Sequence, residues 1–296
     1  MQNMKKWLSI ALVLVLTVAL SAQAFAMTFT WDMLKDGFDY NGKHYNGNAV
    51  LFDEDAYTKE YVKKAVDAFQ RYWDASSSEA PAIYNNEFKP AILSKMAFKP
   101  HTFTDAPSAW YDEALNFVCS TGQMNGVDEG KFDPQGELNR AMAVTILWRM
   151  NGSPAPKAAA GFADVAADAW YAESVAWAVE QKITDGTTDT TFSPTDSVTR
   201  EQMASFFSRM VFALMGINPT AKNPAAIRAD LAKYYNDVDL IHDYALAHVK
   251  VCYEYEIMQG SGDHIFDPLS SITRAQGAQM LMNYYYMLLK GTFVQM

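Results

Sequence analysis

Over the C-terminal two thirds of the chain, apolar residues recur at helical spacing in pairs of segments, and a polar, glycine-containing loop joins each pair. In the best-formed pair, a segment from about Tyr171 to Gln181 carries Val175, Ala178 and Val179 on one face, with Ala172 as a small neighbour. Its partner carries Met203, Phe206, Phe207 and Met210. Spacings of three and four put such side chains on one side of a helix, so both segments are predicted helices with a single buried face. The loop from Ile183 to Pro194 reverses the chain around Gly186. Thr199, with Gln202 three residues later, has the pattern of a capping box and predicts where the second helix starts.

The same device occurs three times. Gly126, Phe132 and Arg140 precede Gly186, Phe192 and Arg200 by one common interval, and Gly260, Phe266 and Arg274 follow them by a second, slightly longer one. Three landmarks that shift together by one amount define an internal repeat. The repeats run over about 101–152, 160–215 and 233–290. Thr273 and Gln276 restore the capping box in the third repeat, whereas in the first Asn139 can cap but Met142 cannot complete the box. The linker 151–161 is short and rich in Pro and Ala, and the linker 216–233 is long enough for a helical turn.

Two regions precede the repeats. Residues 1–26 carry Lys5 and Lys6, an apolar run from Leu8 to Leu20 and the small-residue pattern Ala24-Phe25-Ala26. This is the layout of a secretory signal peptide; its apolar run is shorter than the roughly 20 residues a membrane span needs. Residues 27–100 have a pattern of their own and predict a small α+β region. Asn41-Gly42, between Phe38-Asp39-Tyr40 and Lys43-His44-Tyr45, predicts a tight hairpin. Asp53 or Asp55 then caps a helix whose face holds Tyr57, Tyr61, Val62, Ala65, Val66, Phe69, Tyr72 and Trp73, ending at the polar stretch 75–81.

Charge and cysteine content narrow the function. The formal charge of −10 becomes −12 once the signal is removed, since Lys5 and Lys6 leave and no acid does. An acidic chain lacks the basic footprint of a nucleic-acid binder, and any anionic ligand would need a local site. Cys119 and Cys252 are compatible either with a cross-link between repeat helices or with two buried thiols. His44, His101, His242, His248 and His264 share no metal-ligand spacing, and no nucleophile elbow or zinc-protease motif occurs. Neither a metal nor a cofactor is expected, and no segment after the signal is apolar enough to cross a membrane.

Taken in order, Phe-x-Asp, Trp-Tyr, an amphipathic helix, Gly, Phe-x-Pro and Thr-Arg before a second helix resemble the S-layer homology domain, and the likeness extends from about Phe103 to Lys290. The second repeat matches most fully, with Phe162, Asp164, Trp170, Tyr171, Gly186, Phe192, Pro194, Thr199 and Arg200. The first has Asn139 in place of Thr; the third has Tyr235 in place of Phe, and Asp243 where Trp would fall. The resemblance implies a mainly α fold in which three helix-loop-helix repeats form a pseudo-threefold helical prism. It also implies grooves that bind secondary cell-wall polymers, often ones bearing pyruvate ketals.

Several residues are candidates for that site. Arg140, Arg200 and Arg274 each open a helix, where a guanidinium and free helix-start N–H groups together suit a carboxylate. Thr199 and Thr273 cap two of these helices beside the same groove. Trp110 and Trp170 are candidates for stacking on sugars, although a tryptophan at a helix start reads first as a core wedge. Asp105, Asp164 and Asp237 read as caps before they read as ligands. Gly126, Gly186 and Gly260 read as turns of positive φ that also let a ligand approach the backbone. Arg200, with Trp170, Gly186 and Thr199 in its own repeat, has the most complete surroundings.

The expected function is non-covalent attachment of an exported, non-catalytic protein to an anionic secondary cell-wall polysaccharide on peptidoglycan. The competing expectations are a wall-anchored enzyme with its activity in 27–100, using the acidic cluster around Asp53, and a subunit of a surface array.

Overall fold

The computed structural model describes residues 37–40, 43–46, 59–76, 78–83, 98–107, 109–215 and 223–291, with positions 32, 86 and 87 besides. The signal segment, the Asn41-Gly42 turn and the Asp53 or Asp55 cap lie outside these. The chain divides into two compact units: 1–102 with 115–122 and 288–296, and 103–114 with 123–287.

In the first unit, β1 (Gly37–Tyr40) and β2 (Lys43–Asn46) form the predicted antiparallel hairpin, with Tyr40 opposite Lys43. Helix α1 (Lys59–Asp74) buries Val62, Ala68 and Phe69. The polar stretch after it does more than end α1. Ser76 donates its hydroxyl to Glu79 at 2.6 Å, and the chain enters the short helix α2 (Ala80–Ile83). Helix α3 (Asp112–Ser120) is shared between the units. Within the first, Phe117 packs on Phe98 at 5.1 Å, and Asn116 accepts the His101 N–H at 2.7 Å.

The second unit holds the repeat helices α4 (Arg140–Met150), α5 (Ala172–Glu180), α6 (Arg200–Met215), α7 (Pro224–Leu231) and α8 (Asp243–Glu254), and α9 (Arg274–Gly291) as far as Met287. The long linker before the third repeat contributes more than a turn. Asn223 caps α7 with Pro224 in its first position, and α7 packs on α8. The buried face of α5 is broader than predicted, taking in Ser174, Ala176 and Trp177 beside Val175 and Ala178.

Neighbouring repeats exchange helices. Helix α5 packs on α4 of the preceding repeat, where Thr145 and Ser174 share a hydrogen bond of 2.6 Å, and α8 packs on α6. Buried Cys252 points its Sγ at the Ala204 carbonyl in the latter contact, and no disulfide joins Cys119 to Cys252, so the cross-link alternative falls.

Three residues bind the repeats into a ring: Val198 N–H donates to Leu138 O at 2.9 Å, Leu138 to Ile272 at 2.8 Å and Ile272 to Val198 at 3.0 Å. All three side chains are fully buried. Around this ring each repeat loop is braced in the same way. The two oxygens of Asp105, Asp164 and Asp237 accept the N–H groups of Phe132 and Asp133, Phe192 and Ser193, and Phe266 and Asp267, at 2.7–2.9 Å. These bonds to Phe132 and Asp133 hold the Asp105 carboxyl below its ordinary range; at Asp164, burial pushes upward and the same bonds outweigh it. Asp133, Ser193 and Asp267 take positive φ values of 56°, 58° and 60°, and the phenylalanine before each is fully buried.

Two predictions concern this core. Asp164→Ala leaves two loop amides without acceptors and is expected to lower unfolding stability by about 1–3 kcal/mol, read as a drop in denaturation midpoint; an unchanged midpoint would show the brace to be dispensable. His248 is buried between α8 and α6, 3.1 Å from Ser208 Oγ. Burial first, and Arg209 second, depress its pKa to about 4. The unfolded chain therefore takes up the proton first, and stability falls as pH drops from about 6.5 to about 4, by up to about 3 kcal/mol. The melting temperature of His248→Gln should fall less than that of the parent between pH 7 and pH 4.5, and parallel losses would refute the assignment.

Candidate functional site

The helix starts of α4, α6 and α9 are built across repeats. Arg140 N–H donates to Asp196 O at 2.9 Å and Ala141 N–H to Pro194 O at 3.0 Å. Arg200 and Glu201 donate likewise to Ser270 and Pro268, and Arg274 and Ala275 to Gly136 and Pro134. The third donor of each helix goes to its own cap: Met142 to Asn139, Gln202 to Thr199 and Gln276 to Thr273. The reciprocal bonds from Thr199 and Thr273 to Gln202 and Gln276 complete the two predicted capping boxes. This corrects one expectation: the helix-start N–H groups are not free for an anion, because the loop of the following repeat consumes them.

The arginine side chains follow the same cyclic rule. Arg140 Nε donates to Phe192 O at 2.8 Å, Arg200 Nε to Phe266 O at 2.7 Å and Arg274 Nε to Phe132 O at 2.7 Å. Each guanidinium also lies over the ring of that phenylalanine, 4.6–5.2 Å from its centroid. All three residues are buried, 4%, 4% and 7% exposed. Burial lowers the pKa of Arg140 and Arg200 from the usual range, with nearby acids working the other way. The arginines are therefore inter-repeat latches as well as candidate ligands. Arg140 Nη2 is buried without a hydrogen-bond partner.

The glycines are held mainly by space. A Cβ on Gly126, Gly186 or Gly260 would sit 2.6 Å from the carbonyl oxygen of Lys131, Thr191 or Ile265. Gly186 and Gly260 also have φ of 90° and 105°, but Gly126 lies outside the left-handed region, so the expected positive φ holds for two of the three.

The tryptophans overturn an expectation. Trp110 and Trp170 are 63% and 61% exposed, while the following Tyr111 is buried and Tyr171 half-buried, each tyrosine meeting its tryptophan edge-on. It is the tyrosine that wedges inward, which frees the indole. In the third repeat the most exposed tyrosine is Tyr244, 51% exposed. It follows Trp170 by the same interval that separates Gly186 from Gly260, so Tyr244 and not Asp243 stands at the tryptophan position. The one extra residue between Asp237 and Tyr244, compared with Asp164 and Trp170, hid this, and the interval itself was the signal that could have found it.

These elements meet in a cleft of ≈ 360 Å³. The first repeat supplies its floor through the loop Gln123–Val127 and Met142, Thr145, Ile146 and Arg149 of α4; the second adds Trp170 and the third adds Arg274. Arg274 Nη2 donates to Asn125 O at 2.6 Å, and Arg149 Nη1 to Gln123 O at 3.2 Å. None of the lining residues is acidic. The cleft thus joins Gly126, Trp170 and Arg274 of the predicted residues and adds Arg149, which sequence reasoning missed. It does not gather Arg200, Trp170 and Gly186, the set expected from a single repeat. Thr199 and Thr273 stay at their caps, and the aspartates stay beneath the loops. No group of His, Cys, Asp and Glu that could hold a metal occurs among the described residues.

The S-layer homology domain profile matches residues 102–143, 161–204 and 234–278. The chain is 28% identical over 192 residues to the S-layer protein sap of Bacillus anthracis, covering 64% of this chain and 22% of that protein. It is 28% identical over 170 residues to the surface-layer 125 kDa protein of Lysinibacillus sphaericus, covering 56% of this chain and 13% of that one. It is also 28% identical over 174 residues to an endoglucanase of Bacillus sp. (strain KSM-635), covering 59% and 17%. The chain spans less than a quarter of the length of each of these relatives. No helix among the described residues is long and apolar enough to cross a membrane. The repeats and the S-layer relatives mark an exported, wall-associated surface protein with an anchoring role. Through its three tandem matches, the chain belongs to the S-layer homology domain family.

Proposed function

We propose that the protein is a non-covalent anchor that binds an anionic secondary cell-wall polysaccharide attached to peptidoglycan, pyruvylated forms included. The cleft beside Trp170 carries this reading. It offers two guanidinium groups, Arg274 and Arg149, and an exposed indole, with no acidic side chain among its lining residues. A guanidinium suits a carboxylate through paired donors, and an exposed aromatic face suits the apolar face of a sugar ring. Such a site meets the requirement set by the acidic chain, since it concentrates positive charge locally against a net charge of −10. In this reading the repeats bind and do not catalyse, and several grooves engaging one repeating polymer add avidity.

Two measurements test it. The signal-free protein should co-sediment with wall sacculi and lose that binding once the acidic polymer is extracted, whereas binding undiminished by extraction would defeat the polymer reading. Trp170→Ala removes a side chain that is mostly solvent-exposed, so the fold should persist while wall affinity falls about tenfold, a loss of about 1.4 kcal/mol. Full retention of affinity would take the indole out of the site. Substituting Arg274 is a poorer test, because its loss also removes the latch to Phe132.

A further inference from the structure

The three grooves differ in the charge that the protein itself places in them. The intervals that relate the repeats give the groove of the second repeat as the counterpart of the cleft. Arg140 there corresponds to Arg274, Arg209 to Arg149 and Tyr244 to Trp170. The surroundings differ in two places. Asn125, exposed at the cleft, corresponds to Asp185, whose carboxylate pairs with Arg209 Nη1 at 3.0 Å. Ala141 corresponds to Glu201, which is buried and carries its carboxylate into the contact with the third repeat. Glu201 Oε1 accepts the Tyr244 hydroxyl at 2.9 Å and lies 2.6 Å from His242 Nδ1, and Oε2 accepts the His242 N–H at 3.0 Å. The aromatic side chain that would flank an occupant of this groove is therefore tied to an internal carboxylate. In the groove of the third repeat, Asn283 corresponds to Arg149 and donates to Ile257 O at 3.2 Å, leaving Arg200 as the arginine of the corresponding pair.

We propose that the cleft of Arg274, Arg149 and Trp170 is the primary acid-binding groove, and that Glu201 and Asp185 shut the second-repeat groove to anionic polymer. This rests on the function proposed above and assigns its first site. Two guanidiniums without an acidic lining attract a carboxylate. Where Asp185 already neutralises Arg209 and Glu201 holds Tyr244, an incoming carboxylate meets like charge and must displace existing partners. Glu201 and Asp185 are specificity determinants in this scheme.

The Nε–H groups of Arg140 and Arg274 are matched reporters, since each is a buried donor to a phenylalanine carbonyl. Their nitrogen-proton resonances, with the Trp170 indole, can be followed while acidic polysaccharide released from sacculi and cut to short fragments is added to the signal-free chain. Arg274 and Trp170 should shift at low fragment concentration and Arg140 should not. Asn125→Asp, a change at an exposed position, should weaken the Arg274 response about tenfold by placing a carboxylate beside Arg149. Glu201→Gln with Asp185→Asn removes both charges and leaves one acceptor oxygen at position 201, for Tyr244 or for the His242 amide, and Arg140 should then respond. Arg140 shifting together with Arg274 in the parent chain, or staying silent in the double variant, would overturn the assignment. If neither arginine responds although the protein still needs the polymer to sediment, the groove assignment fails and the anchoring function stands. If sedimentation is independent of the polymer, both fail.

Discussion

The fold depends on one constraint: the exposed donors at a helix start must be satisfied, and here each repeat leaves that task to the next. Arg140, Arg200 and Arg274 present main-chain N–H groups to loop carbonyls across a repeat boundary, and their side chains cross the same boundary to a phenylalanine carbonyl and ring. Unpaired buried N–H groups are costly, so a repeat taken alone would expose donors, a buried-type arginine and an aromatic plug. The Leu138–Val198–Ile272 ring of hydrogen bonds is the axial part of this arrangement. The candidate site is placed by it, since it sets which loop, which arginine and which aromatic residue come together.

Much of this was legible in the chain. The loops, the caps and the second helices are local, and local chemistry marks them: Thr199 and Thr273 begin helices as their capping boxes require, and the phenylalanines before Ser193 and Asp267 are core. What the sequence withheld was partnership. Nothing within residues 160–215 states that Trp170 will meet Arg274 rather than Arg200, because that pairing is set by the packing of α5 on the helix before it. The inward tyrosine and outward tryptophan were equally hidden: two adjacent aromatics at a helix start have similar hydropathy, and only the angle at which α5 is held decides between them.

The candidate site shows the same division. Arg274 and Gly126 stand out because they recur, whereas Arg149 recurs only as Arg209 and becomes Asn283 in the third repeat, while still serving the same backbone carbonyl position. A residue whose structural duty is met by two side-chain types escapes a search for identities. Tyr244 escaped for a different reason, since one inserted residue moved it out of register with Asp237 while leaving it in register with Gly260. Both become visible once the backbone partners are known.

The latch from Arg274 back to Phe132 and Asn125 has a topological consequence. In a linear solenoid the last repeat leaves an interface open, and copies can be gained or lost one at a time. Here the last copy returns to the first, so the assembly closes at three and has no growing end. A fourth copy would find its receiving surface occupied, and removing one would leave two incompatible faces.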